Sequence, residues 1–306
     1  MLRTILILLF SIIVVPFTSI YFGEPLSDTQ ITILKKSTYI ALAIALACFI
    51  VSEISKNYSQ TDKVWSIAPI IYAWYITASG EWNERMILMA VLVTIWGVRL
   101  TYNFGRRGGY CWKFWIGEED YRWAVLRENT IFKNKPWNWR LFNLFFISLY
   151  QNGLIYIFTL PILAVLTGVD KPLGIFDILL SITFLFFVII ETMADHQQWT
   201  FQSKKYALIN AGKPLEEPYS KGFVDAGLWG KMRHPNYMAE QAIWVIFYLF
   251  SVVATGAWIN WSMIGSLLLL ILFYNSSNFS EEISAKKYPL YAAYQNKVGR
   301  FLPKLF

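Results

Sequence analysis

Long apolar stretches divide this chain, and segments dense in charge separate them. Residues 1–20 hold one charge, Arg3, while 38–52 and 64–79 hold none. Residues 86–102 hold only Arg99, 141–167 hold none, 172–190 hold only Asp177, and 241–275 hold none across 35 positions. A bilayer core of about 30 Å takes roughly 20 apolar residues to cross as a helix. The last run is long enough for two crossings, with its break at Gly256-Ala257-Trp258-Ile259-Asn260. The pattern predicts an all-α, polytopic transmembrane helical bundle of about seven to eight spans, of which 64–79 is the shortest. The first run is longer than a signal-peptide core, contains Pro16 and lacks a small-residue cleavage site, so it reads as a retained span.

Composition agrees and charge adds orientation. Hydrophobic residues make up 56% of the 306 and charged residues only 15%, against about 25% in soluble domains. With eight crossings, 22 of the 27 lysines and arginines fall on one side and 4 on the other, Arg99 lying within a span. That asymmetry places the basic loops and both termini in the cytoplasm. The net charge of +7 is then topology plus attraction to anionic headgroups. No basic segment forms a soluble domain, so nucleic acid is not an expected partner.

Cysteine and histidine usage removes several chemistries. Cys48 lies within a span and Cys111 in a loop, and the two histidines, His196 and His234, are far apart. A disulfide is not expected, and no zinc cluster has its ligands. Serine-hydrolase, Walker and dinucleotide-fingerprint motifs are absent from the sequence.

Some polar residues are not explained by the membrane alone. A charge within a span is costly and defaults to a functional reading, yet Arg99 is close enough to the interface to snorkel. Asp62 and Lys63 fit an interfacial cap and anchor, and Glu118-Glu119-Asp120-Tyr121-Arg122-Trp123 fits a helix lying on the membrane surface. Glu191, Asp195, Gln198 and Gln202 recur at i, i+4, i+7 and i+11, one helical face, and ask for a polar partner, whether a neighbouring helix or a ligand. Residues 222–241 run from flexible glycines through Lys231, Arg233 and His234 to Pro235, which suits a first helical turn. A helix start with free N–H groups beside cations is a phosphate-binding arrangement. Asn236 and Glu240, at i and i+4, can hydrogen-bond a sugar or an amide. The plain alternative is a positive anchor with a helix cap.

Leu228-Trp229-x-x-x-Arg233-His234-Pro235-Asn236-Tyr237-x-x-Glu240 resembles the signature of the membrane family of steroid 5α-reductases and sterol reductases, in particular its bacterial branch, domain of unknown function 1295. Asp62-x-x-Trp65-Ser66-x-x-Pro69, Trp96-Gly97-x-Arg99-Leu100, Glu119-Asp120-x-Arg122, Glu191-Thr192-x-Ala194-Asp195 and the tail from Glu281-Glu282 through Tyr288-Pro289 to Phe301-Leu302-Pro303 are similar too. Isoprenylcysteine carboxyl methyltransferases share the C-terminal likeness.

The resemblance implies N-terminal transmembrane helices over 1–60 and a reductase-like membrane domain over 61–306, with 191–306 binding cofactor. It implies an NADPH-dependent oxidoreductase that reduces a carbon–carbon double bond in a lipid drawn from the bilayer, whether steroid, polyprenoid or fatty lipid. The alternatives are an S-adenosylmethionine-dependent methyltransferase of a lipid-linked acceptor and a non-catalytic protein retaining the fold. Asp195, Gln198, Arg233, His234, Asn236, Tyr237 and Glu240 would surround NADPH, with Glu281, Glu282 and Tyr288 closing over it. Asp62, Arg99 and Tyr237 would serve catalysis, without a metal. The implied place is a bacterial inner membrane. The chain also departs from the reductases. Trp96 stands where steroid 5α-reductases have a tyrosine that helps hold the substrate's keto oxygen. Gln202 replaces an arginine, and Asn278-Phe279-Ser280-Glu281-Glu282 replaces a basic run. These departures favour a different substrate over steroid-enone chemistry.

Overall fold

A computed structural model describes residue 6 and residues 9–113, 115–168 and 171–304. The described residues are helical apart from loops and one isolated parallel bridge, Met232 with Gly299. Six helices are long and apolar enough to cross a membrane: α1 (Asp28–Ser55), α3 (Glu84–Gly105), α4 (Pro136–Gly168), α5 (Ile175–Asn210), α6 (Pro235–Thr255) and α7 (Met263–Lys287). Between the first two lies the shorter α2 (Ala68–Ser79), and a terminal helix, α8 (Tyr291–Lys297), follows α7. The chain is thus a multi-pass helical membrane protein.

Each boundary has a local cause. Ser27 and Gln30 close a reciprocal capping box at the start of α1, and Lys56 in left-handed conformation ends it. The Asn83 side chain accepts from the Arg85 and Met86 amides to open α3. The break anticipated at 256–260 is real. Gly256 at φ +78 leaves α6, a conformation that suits glycine, and α7 starts at Met263. α5 has 36 residues, about 54 Å at 1.5 Å per residue. It therefore outruns the hydrocarbon core and carries the polar stretch beyond it.

Two expected spans look different in the structure. The 64–79 run is divided into a five-residue helix (Gln60–Val64), a turn, and the 12-residue α2 with Pro69 in its first turn. Proline fixes the helix start there, and about 18 Å of helix is short of a crossing. The 1–20 run falls partly on residues outside those described, its remainder being a π-helical turn Phe10–Val14 and a helix Val15–Tyr21. The 118–123 segment caps a short helix, Tyr121–Arg127, whose Trp123 is buried against Tyr58 and Trp139.

The chain forms two compact units. Unit 1 comprises Met1–Ser181 with Ile246–Leu269, and unit 2 comprises Ile182–Val245 with Leu270–Phe306. Within unit 1, α2 packs so closely on α3 that a Cβ on Gly97 would lie 2.5 Å from the Ser66 carbonyl oxygen. Ser66 and Thr101 hydroxyls share a hydrogen bond of 2.7 Å nearby. The 62–69 and 96–100 motifs are therefore one packed feature. Polar contacts gather near the two ends of α3 in this unit. At one end Arg85 meets Asp177 and the Lys171 and Pro172 carbonyls. At the other, segments 53–63 and 103–140 join, with Asn57 donating to the Gly117 carbonyl at 2.8 Å and Lys63 to that of Ile116 at 2.7 Å.

Candidate functional site

Unit 2 is built around the approach to α6. Gly227 sits at φ +63, where a Cβ would strike the Gln197 side chain. The next amide, Leu228 N–H, donates to Gln197 Oε1 at 3.0 Å. Trp229 Nε1 donates to the Ala194 carbonyl at 3.0 Å. These contacts lay the glycine-rich segment along α5. The chain then runs extended, and Arg233 N–H and His234 N–H donate to the Gly299 and Arg300 carbonyls at 2.8 and 3.0 Å. Pro235, which has no N–H to lose, begins the helix.

Two polar clusters result. In the first, Asn236 Nδ2 donates to Asp195 Oδ1 at 3.2 Å, joining the start of α6 to the polar stripe of α5. Asp195 and Glu240 are each 3% exposed, and Glu191 is 4% exposed. Trp244 Nε1 donates to Glu240 Oε1 at 3.2 Å. Gln198 Oε1 is buried and finds no hydrogen-bond partner among the described residues. This cluster is rich in acceptors, which suits hydroxyl and amide N–H donors.

The second cluster centres on Glu281. Arg233 grips it in bidentate fashion, Nε to Oε1 at 2.7 Å and Nη2 to Oε2 at 3.2 Å. Arg233 Nη1 donates to the carbonyls of Gln295, at 3.0 Å, and Val298. His234 Nε2 reaches Glu281 Oε1 at 2.8 Å, and Gln295 Nε2 donates to Oε2 at 2.8 Å. Arg300 Nη2 stands 3.7 Å from the same carboxylate. Burial lowers the His234 pKa, offsetting the pull of Glu281 in the other direction. A neutral ring with its proton on Nε2 donates to the carboxylate. Its face stacks on Tyr237 at 5.3 Å.

The expected set is thus only partly assembled. Asp195, Asn236 and Glu240 line the polar start of α6, with Tyr237 following through its stack on His234. Arg233, expected on phosphate, spends its donors on Glu281 and the tail, and so acts as a clamp. Glu282 points outward to Lys286 at 2.7 Å, both side chains well exposed. Tyr288 lies elsewhere, packed on Phe223 and on Gly222, with Lys205 Nζ 5.6 Å above its ring. Asp62 and Arg99 belong to unit 1. Trp123 Nε1 donates to Asp62 Oδ2 at 3.2 Å, and burial, then the charge of Asp120, raises the Asp62 pKa. Arg99 is half-buried on α3. Gln197, Gln295 and Arg300 were not foreseen. Their roles arise from contacts across long sequence separations, which no local spacing announces. Among the described residues no group of three or more metal-ligating side chains occurs.

Comparison with known proteins adds a family. No solved structure matches the chain. The uncharacterized protein C594.04c of Schizosaccharomyces pombe is 36% identical over 266 residues, covering 83% of this chain and 75% of the fungal one. Residues 48–298, which take in the two candidate clusters except Arg300, match the family described as "Protein of unknown function (DUF1295)", and the chain belongs to that family.

Proposed function

We propose that this protein is a membrane-embedded, NADPH-dependent reductase of a carbon–carbon double bond in a lipid, with its basic loops and both termini in the cytoplasm of a bacterial inner membrane. The observation that carries the reading is the buried, acceptor-rich cluster where α6 begins: Asp195 tied to Asn236, and Gln198 Oε1 with no partner among the described residues. A buried acceptor in such a place is completed by a donor, and ribose hydroxyls and a nicotinamide carboxamide supply donors. Asp195, Gln198 and Asn236 would hold that part of the cofactor, with Glu240 behind them. When bound, NADPH supplies the hydride. Arg233 and His234 keep the tail folded on Glu281 and so shape the site without touching phosphate, which falls to exposed Lys231. Tyr237, an acid with an O–H near the helix start, is the residue of unit 2 best suited to move a proton.

Purified protein in detergent should be stabilised by NADPH and not by S-adenosylmethionine. At a hundredfold excess over Kd the gain is about 2.7 kcal/mol, visible as a rise in Tm. Asn236→Ala should weaken NADPH binding roughly tenfold, about 1.4 kcal/mol, with its own Tm in the absence of ligand recorded separately. Stabilisation by S-adenosylmethionine alone would instead support a methyltransferase.

A further inference from the structure

One end of unit 1 carries a loop with an unusual division of polarity. α1 ends at Ser55 and α3 at Gly105, and α4 begins at Pro136. The chain that leaves α3 returns on itself, Glu118 N–H donating to the Gly108 carbonyl at 2.9 Å. A segment of about ten residues closed at its neck in this way is a compact surface loop.

Surface loops ordinarily leave many of their backbone acceptors to water. In this loop the protein supplies the donors. Asn57 Nδ2 donates to the Gly117 carbonyl at 2.8 Å, Gln60 Nε2 to that of Trp115 at 3.0 Å and Lys63 Nζ to that of Ile116 at 2.7 Å. Ile116 N–H and Cys111 Sγ both donate to the Lys113 carbonyl at 2.9 Å. Positions i, i+3 and i+6 of the segment just past α1 thus cover three consecutive carbonyls. Gln60 and Lys63 are themselves buried. The Tyr110 hydroxyl, donating to the Lys63 carbonyl at 2.6 Å, adds a further tie between the two segments.

The side chains have the opposite character. Trp112 is 100% exposed, Ile116 48% and Trp115 40%, whereas Trp123 and Trp139 pack in a core cluster. An apolar tip on a loop whose carbonyls are satisfied from within suits a layer poorer in water than the bulk. Unpaired carbonyls would be costly there, and tryptophan favours the boundary between headgroups and acyl chains. That boundary is close by, because Asn57 is two positions past the end of α1 and Cys111 six past the end of α3. The membrane-surface role expected of 118–123 is better met here, since Trp123 is buried.

We infer that Trp112, Trp115 and Ile116 dock into the headgroup boundary of the leaflet in which α1 and α3 end. Asn57, Gln60 and Lys63 fit the loop for that layer by taking its carbonyls. The occupant of this surface is phospholipid, and exposed Lys113 is placed for headgroup phosphate. The inference needs no nucleotide, so it stands or falls independently of the reductase reading.

The test uses the full chain in nanodiscs of phosphatidylethanolamine and phosphatidylglycerol. Trp112→Cys and Ile116→Cys, each in a Cys111→Ser background, carry a nitroxide, while buried Cys48 stays unlabelled. Both replaced side chains are exposed, so the variants should fold like the parent. Lys213→Cys in the same background, on an exposed loop of unit 2, is the water-facing reference. Oxygen, which concentrates in lipid, and a water-soluble nickel chelate are compared as relaxing agents. The ratio of oxygen to nickel relaxation at positions 112 and 116 should exceed that at 213 several-fold. Nickel relaxation at 112 and 116 as strong as at 213 would show a surface facing water and overturn the inference. Protection from both agents would overturn it too, because a second copy or another protein would then cover the loop.

Discussion

Glu281→Ala should lower the Tm of the purified protein by on the order of 10 °C. Removing this carboxylate strands the buried Arg233 guanidinium, which loses both arms of a bidentate pair, and it leaves His234 and Gln295 without their acceptor. Breaking a buried ion pair from one side costs roughly 3–5 kcal/mol, because the remaining charge is uncompensated, and each kcal/mol moves Tm by about 2–4 °C in chains of comparable size. Arg233→Lys should also lower the Tm, since an ammonium cannot grip Glu281 and two backbone carbonyls at once. The apolar double variant Arg233→Met with Glu281→Leu should be closer to the parent than either single change. If Glu281→Ala melts like the parent, the clamp does not hold the tail.

Asp177→Ala should have a comparable effect on unit 1, again roughly 3–5 kcal/mol. Arg85 and Asp177 side chains are 2% and 1% exposed and meet at 2.7 Å. Arg85 also ties the Lys171 and Pro172 carbonyls, and Asp177 Oδ2 accepts from Gly174 N–H at 2.9 Å. Losing the carboxylate thus unpairs a buried cation and frees the segment leading into α5. Asp177→Asn, which keeps one acceptor for the Gly174 amide, should fall between the two. A thermal melt of each variant in the same detergent measures this, and a silent Asp177→Ala would show the pair to be dispensable.

The sequence and the structure agree most where local chemistry decides. Gly256 marked the break between α6 and α7, Pro235 marked the start of α6, and the Glu191–Gln202 spacing placed one polar face on α5. They part where tertiary partners decide. Arg233 beside a helix start reads as an anion site until Glu281, 48 positions away, is seen to take its donors. Asp177 stood out as a charge within an apolar run, yet nothing in the sequence paired it with Arg85, 92 residues away. The apolar run 64–79 reads as a span because hydropathy ignores the turn ahead of Pro69. The donors that Asn57, Gln60 and Lys63 send to the 115–117 carbonyls had no sequence signal at all, since they join residues 53 to 60 positions apart.

The central claim is the passage of hydride to a lipid. Membranes containing the protein should be incubated with NADPH deuterated at its hydride-bearing carbon, and the extracted lipids read by mass spectrometry. The account predicts deuterium in a lipid that has lost one double bond, present with the parent chain and strongly reduced with Asn236→Ala. Lipids without deuterium above that of membranes lacking the protein, or equal labelling by the parent and Asn236→Ala, would contradict it.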